Sequence, residues 1–415
     1  MTQPKQNPGR VALVSEHASP LAALGGPDAG GQNVYVAQLA RKLVLRGHDV
    51  TVYTRRDSTD APVTVRTPQG VKVVHVPAGP PTAVPKDELF AHMPEFGAHL
   101  ARMWRHTQPD VVHAHFWMSG LAALTGARNT DIPVVQTYHA LGTVKRRHQG
   151  SEDTSPRARL ELEARIGLEA DAVVATCADE VNELVAMGVP RDRIDVVPCG
   201  VDTSHFSPRP ATRRPDGAPR RLLSVGRLVP RKGFDRAIRA LSGVPDAELL
   251  IAGGPQAPLL FADPEAGRLR KIASEYGVTE RVRMLGCVPQ HLMPGLISSA
   301  DLLLSLPRYE PFGIVPIEAM ACGVPVVATA VGGQLDTVVD GVTGTHVPPV
   351  DAAGDDHDLA AVIRSLLDDP ARRARYGAAG RAHALARYTW DEVADGVARV
   401  YSRLSPHSQP SEVAR

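Results

Sequence analysis

The chain has 415 residues, with 46 Lys and Arg against 45 Asp and Glu and a formal net charge of +1. That balance excludes a nucleic-acid binder that relies on a large basic excess, and it gives no polyacidic tail. Hydrophobic residues are 43% and charged residues 22%, the profile of an ordinary globular protein, and at roughly 100–200 residues per domain the length predicts two domains.

The elements run as follows. Val11–Ser15 reads as a strand, followed by a glycine-rich loop and a helix from about Gln32 to Arg46. Asp49–Thr54, Val71–Val76, Val111–Ala114, Val134–Thr137, Ala172–Ala175 and Asp195–Val197 are further short strands, with helices over Asp87–Arg105 and Ser155–Leu168. Short β-branched runs alternating with helices predict buried parallel strands and a doubly wound sheet. Residues 204–219, SHFSPRPATRRPDGAP, have no periodicity and read as a linker between a first domain over 1–203 and a second over 220–388. The alternation then restarts. Arg221–Val225, Ala247–Ala252, Arg281–Leu285, Asp301–Leu304 and Pro325–Ala328 are strands, with helices at Gly233–Leu241, Pro264–Tyr276, Val315–Ala321 and about Ala371–Arg387. A last helix over Trp390–Leu404, in the segment 389–415, is expected to cross back to the first domain. Two such domains predict a large cleft between them, at the carboxyl ends of both sheets.

The polar start MTQPKQNPGR reads as no signal peptide, and no apolar run approaches the ~18 residues that span a bilayer. Cys177, Cys199, Cys287 and Cys322 form no CxxC pair or compact metal pattern, which predicts reduced thiols and a cytoplasmic location. His113 and His115, in VVHAHFW, lack a nearby carboxylate to complete a metal site. Nothing marks the oligomeric state; a homodimer is among the forms open to the chain.

Four segments carry chemistry. The first loop, Gly25 to Ala40, places Gly30 and Gly31 just ahead of a helix, where free N–H groups favour an anion; a plain flexible turn is the alternative. It is not GxGxxG, which counts against a dinucleotide-dependent oxidoreductase. In SVGRLVPRKGF, Ser224 to Phe234, Arg227 and Lys232 follow a strand end and suit a diphosphate, though a solvated basic turn has the same composition. In YEPFGIVPIEAMACGVPVVATAVGG, Tyr309 to Gly333, Glu310 and Glu318 lie eight residues apart around a helix entry at Phe312, Gly313 and Ile314. Carboxylates there can accept hydroxyl hydrogen bonds from a sugar or a ribose. His139, in QTYHALG, stands just past a strand end. Lys145, Arg146 and Arg147 read as a solvated face, with an anion site as the other option.

Together these segments resemble the retaining glycosyltransferases of family 4, with the GT-B fold. The resemblance rests on the Arg227/Lys232 pair, the E-x7-E of Glu310 and Glu318, the Gly-Gly loop and the turn at Gly332–Gly333, and covers about residues 10 to 404. SPLAALGGPDAGGQNVYV and HAHFWMSG are similar to the mycothiol-pathway enzymes that glycosylate inositol phosphate. DAGGQ and YHALG are similar to the sucrose synthase and sucrose-phosphate synthase group. The resemblance implies a nucleotide-sugar donor, with UDP as the carrier, and a small hydroxylated acceptor such as a sugar phosphate or inositol phosphate. It implies catalytic roles for His139, Arg227, Lys232 and Glu310, and donor contacts from Gly30, Gly31, Asn33, Phe312, Gly313, Ile314 and Glu318. In the inositol-phosphate group the acceptor phosphate is held by a lysine, an arginine, a tyrosine and a threonine. Lys86 and Arg159 match the first two, whereas Phe116 and Ala140 stand where the tyrosine and threonine would be. No metal ligands are implied, and no cofactor is obligatory, Mg2+ being at most auxiliary. A non-catalytic sugar-binding protein is the rival from another class; it would share the cleft but would need no diphosphate clamp.

Overall fold

The computed structural model describes residues 9–21, 31–210, 217–349 and 357–404. Among these, the residues up to Pro198 and those from Trp390 form one compact unit, and Cys199–Thr389 form another.

The first unit is built on eight strands: β1 (Arg10–Val14), β2 (Asp49–Arg55), β3 (Thr64–Arg66), β4 (Lys72–Val76), β5 (Val111–His115), β6 (Val134–Thr137), β7 (Ala172–Ala175) and β8 (Ile194–Val196). Six helices separate them: α1 (Gly31–Leu45), α2 (Met93–Thr107), α3 (Trp117–Ala127), α4 (Gly142–Gln149), α5 (Arg159–Glu169) and α6 (Ala178–Ala186). The sheet order is β3-β4-β2-β1-β5-β6-β7-β8, parallel except for the β3–β4 pair. Strand β7 is buried at every residue, which is why AVVA reads as an unbroken apolar run rather than an alternating one. The helix expected over 87–105 is two elements, a 3-10 turn over Lys86–His92 and then α2. Pro94 in the first turn of α2 explains the restart, because proline lacks the N–H that a continuous helix would need there.

The second unit has six parallel strands, β9 (Arg220–Val225), β10 (Ala247–Ala252), β11 (Val282–Gly286), β12 (Leu302–Ser305), β13 (Val326–Thr329) and β14 (Gly344–Val347). Its helices are α7 (Phe234–Leu241), α8 (Pro264–Glu275), α9 (Met293–Ser298), α10 (Ile314–Ala321), the single turn α11 (Gln334–Thr337), α12 (His357–Leu367) and α13 (Pro370–Arg387). The order is β11-β10-β9-β12-β13-β14. Leu222, Leu249, Ile251, Leu269, Leu304 and Ile363 belong to its core, each contributing about 1.5–3 kcal/mol by burial. The early part of the segment expected as linker lies on this unit: Phe206 is buried, and the Arg209 backbone N–H donates to Ser298 Oγ at 3.1 Å. Residues 211–216 fall outside the described residues.

The final helix, α14 (Trp390–Leu404), belongs again to the first unit. It buries Val393, Val397, Val400 and Tyr401, and Trp390 meets the Tyr35 ring edge-on at 5.6 Å. Lys42–Asp391 at 2.7 Å and Arg46–Asp395 at 2.6 Å join it to α1. Half-exposed pairs of this kind are worth about 0–1 kcal/mol, so the buried face does more to hold the helix than the ions do. No described helix is long and apolar enough to cross a membrane.

Candidate active site

Open α/β sheets bind ligands beyond the carboxyl ends of their strands, where the strand order reverses. In the second unit the reversal lies between β9 and β12, and the chain after each strand carries the predicted site residues. After β9, the 3-10 turn Pro230–Lys232 ends at Gly233, with φ of 70°. A Cβ on Gly233 would lie 1.9 Å from the Leu306 carbonyl oxygen, so only glycine lets this turn press against the segment after β12. That approach brings Lys232 Nζ to 2.5 Å from Glu310 Oε2. The Arg227 side chain is exposed and makes no hydrogen bond or ion pair with another described residue, while the Arg231 guanidinium lies over the Tyr309 ring at 5.1 Å.

The Glu310–Phe312 segment is fixed from the other side by the glycine pair after β13. The Gly333 N–H donates to Glu310 O at 3.0 Å, and a Cβ on Gly332 would meet that same oxygen at 2.1 Å. Phe312 is buried edge-on to Tyr388, and Gly313, with φ of 97°, starts α10 without a side-chain cap. The first N–H groups of α10, from Ile314 onward, therefore have no partner within the helix. Glu318 follows in its second turn. No described residue hydrogen-bonds to its carboxyl, and burial pushes the group up to about 8.

In the first unit the reversal lies between β1 and β5. Glu16 and His17 follow β1, and Phe116, with φ of 81°, follows β5. The Glu16 carboxylate is fully buried, lies 2.6 Å from His17 Nδ1 and accepts a hydrogen bond from Ser119 Oγ. Burial alone would raise its pKa, but His17 and Ser119 outweigh it and the net shift is downward. The His17 ring meets Phe116 edge-on at 5.1 Å, and Lys86 Nζ lies 3.8 Å over the face of that ring. Burial pulls the Lys86 amine down to about 8. Arg159 is buried and commits its N–H groups to Glu163, Ser155 and the Ala140 carbonyl at 2.7, 3.1 and 2.7 Å, with its guanidinium 5.2 Å from Phe116. Lys86, Phe116, Ala140 and Arg159 are thus neighbours, and Arg159, ion-paired to Glu163, is a brace.

His139, with φ of 61°, stands beyond β6 in a stack of three histidines. Its Nε2 lies 3.1 Å from His115 Nδ1, and His113 reaches both Tyr401 on α14 and Thr137 at 2.8 Å. Burial pulls His113 and His139 each down to about 3, so the stack is neutral at pH 7. Asn33 donates to the Ser19 carbonyl at 3.1 Å, and Gln32 donates to Ser15 Oγ and the His115 carbonyl. Gly31 opens α1; Gly30 lies outside the described residues. Lys145 pairs with Asp153 and Arg147 with Glu183, so these two basic side chains are occupied. No group of three or more His, Cys, Asp and Glu among the described residues is arranged to hold a metal ion.

Residues 29–205 match the profile described as Glycosyltransferase Family 4, and residues 209–383 match glycosyl transferases group 1. The chain is 38% identical to D-inositol 3-phosphate glycosyltransferase of Xylanimonas cellulosilytica, over 95% of this chain and 97% of that one. The chain belongs to glycosyltransferase family 4. The corresponding enzyme of Mycolicibacterium smegmatis is 39% identical, covering 96% and 92% of the two chains. Among solved structures, sucrose-phosphate synthase of Thermosynechococcus elongatus superposes with a TM-score of 0.82 at 30% identity, over 95% of this chain and 99% of that one. Anabaena HepE shares the fold, with a TM-score of 0.70 at 19% identity over 95% of this chain and all of that one. The protein is therefore a glycosyltransferase with two parallel-sheet units of the GT-B type.

Sequence reasoning missed Glu16, His17, Ser119, Gln32, Ser305 and Gln334. Gln334 donates to Ser305 Oγ at 2.5 Å and ties the α11 turn to the end of β12. Glu16 and His17 stood in plain view, directly after the VALVS strand, at the sheet end where function is expected.

Proposed function

We propose that this glycosyltransferase moves a sugar, with retention, from a nucleoside diphosphate sugar to a phosphorylated polyhydroxy acceptor. The observation that carries the reading is the second unit's switch point. There a lysine–glutamate pair at 2.5 Å, an arginine whose side chain has no described hydrogen bond or ion pair, and a carboxyl without a described hydrogen-bond partner all lie on the chain that follows β9 and β12. Arg227 and Lys232 take the diphosphate as negative charge develops on it, aided by the free N–H groups at the start of α10. Stabilisation of developing charge is usually the largest catalytic contribution. Glu318 holds the ribose hydroxyls, and Glu310 binds hydroxyls of the transferred sugar. The acceptor hydroxyl attacks on the face from which the diphosphate leaves. The glycosidic bond to the diphosphate breaks, the new C–O bond forms, and a diphosphate oxygen takes the hydroxyl proton. Uridine is the proposed base, on the strength of the sequence resemblance.

The names of the relatives support an inositol phosphate as acceptor. The first unit supports an anionic acceptor through Lys86 beside Arg159, with His139 and Asn33 close to the same strand ends. Phe116 and Ala140, where two hydroxyls are expected for that acceptor, favour a second reading, in which the acceptor is a sugar phosphate as the name of the 30%-identical structure implies. With two cations at the diphosphate, no metal is obligatory. Four free thiols, three of them buried, suit a cytoplasmic enzyme.

The test is a donor and acceptor panel. UDP-glucose and UDP-N-acetylglucosamine are each incubated with D-inositol 3-phosphate and with ketohexose phosphates, with and without EDTA. A glycosylated phosphate ester is expected, and chelation should leave its rate intact. Absence of product from every pair would overturn the acceptor class. Loss of activity in EDTA, restored by Mg2+ or Mn2+, would overturn the metal-free clamp.

A further inference from the structure

We propose that Glu310 holds the place of the donor on Lys232 in the empty site, so that the site selects an intact nucleoside diphosphate sugar over the free nucleoside diphosphate. This inference rests on the donor site assigned above and assigns Glu310 a second task there.

Neither backbone can retreat from the contact. Gly233 presses the lysine turn onto Leu306, and Gly332 and Gly333 press the glutamate segment from the opposite side, each with a hypothetical Cβ at or below 2.5 Å from its neighbour. The pair can open only by side-chain rotation. Both side chains are largely shielded, 18% exposed for Lys232 and 14% for Glu310. The Arg227 side chain, by contrast, makes no described hydrogen bond or ion pair, so it can meet a diphosphate without breaking one.

A diphosphate that reaches Lys232 must displace the Glu310 carboxylate. The displaced carboxylate then stands shielded from water beside an added negative charge. An attached sugar repairs this, because its hydroxyls donate to the carboxylate at the moment Lys232 leaves it. A free nucleoside diphosphate carries no such hydroxyls, and its terminal phosphate adds further negative charge. After transfer, Glu310 is again without a partner and can reclaim Lys232, which favours departure of the product. The sugar thus decides whether the pair opens.

Calorimetry on the full chain tests this with UDP and UDP-glucose as probes. Removing the competing charge in Glu310→Gln should tighten UDP about tenfold, the size of one charge-assisted hydrogen bond regained, and tighten UDP-glucose less than about twofold or weaken it. In a Lys232→Ala background, Glu310→Gln should tighten UDP clearly less than it does in the wild type, since only the repulsion between carboxylate and diphosphate remains and the competition for the lysine is gone. Glu310→Ser provides the same comparison if the glutamine variant does not melt like the wild type. UDP binding left unchanged or weakened by loss of Glu310, or both ligands tightened alike, would overturn the proposal. A wild type that bound no nucleoside diphosphate and no nucleoside diphosphate sugar would instead overturn the donor-site assignment itself, and this inference with it.

Discussion

Raising the pH from 6 to 9 should tighten the binding of a nucleoside diphosphate sugar, and Glu318 is the cause. Its carboxyl has no described partner, and burial pushes it up to about 8. At pH 7 such a group is about nine-tenths protonated, whereas an ordinary glutamate near 4.3 is almost fully ionised. Ribose hydroxyls donate best to the ionised form, so binding must remove the proton. The cost at pH 7 is about 1.4 kcal/mol, one decade of affinity. Affinity should rise about tenfold per pH unit up to about pH 8 and then level off. A nucleoside diphosphate sugar suits the measurement because it has no terminal phosphate titrating near pH 6. Calorimetry at pH 7 in two buffers of different ionisation enthalpy should show release of about 0.9 proton per bound ligand. Glu318→Gln should flatten both the pH profile and the proton release. A flat wild-type profile, or the same slope in the glutamine variant, would refute the assignment of Glu318 to the ribose.

Acid should weaken the first unit. His113 is buried and titrates at about 3 in the folded chain against ~6.5 unfolded, so its stabilising contribution is intact above ~6.5 and is lost as the pH falls toward 3, by about 1.4 kcal/mol per unit. Denaturant midpoints that stayed constant from pH 7 to pH 5 would contradict this. Lys232→Ala should lower turnover by about 10²–10³, the 2.7–4 kcal/mol typical of one lost transition-state donor, with the melting curve preserved; near-normal turnover at saturating donor would remove Lys232 from the clamp. Gly332→Ala should cost about 1–3 kcal/mol or more and weaken donor binding, because Gly332 has φ of 51° and the new Cβ would lie 2.1 Å from Glu310 O. An alanine variant with wild-type stability and affinity would show that the segment can shift freely.

The parallel strands were legible because burial on both faces leaves short valine-rich runs such as AVVA and VVAT. The edge strand β3 was not, since Thr64–Arg66 is exposed and polar and pairs antiparallel at the margin of the sheet. Helix α12 lies outside the expected elements although Leu359, Ile363 and Leu366 give it apolar spacing. Arg227, Lys232, Glu310 and Glu318 were legible in the second unit because their chemistry is compact in sequence. The direct pairing of Lys232 with Glu310 was not, for it depends on a backbone approach between segments 78 residues apart, set by Gly233 and Gly332. In the first unit the neighbours Lys86, Phe116, Ala140 and Arg159 come from four segments far apart in sequence, two of them helix starts. Only the resemblance grouped them, and Arg159's commitment to Glu163 needed coordinates to see.

The stereochemistry of the first product formed tests retained transfer most directly. Proton NMR of a reaction started with UDP-α-glucose and D-inositol 3-phosphate, or with the best acceptor from the panel, reads the new anomeric centre before any secondary exchange. An α-linked phosphorylated product, formed in equal amount with UDP and in the presence of EDTA, is predicted. A β-linked product, or UDP released without any glycosylated acceptor, would contradict retained transfer at the Lys232–Glu310 site.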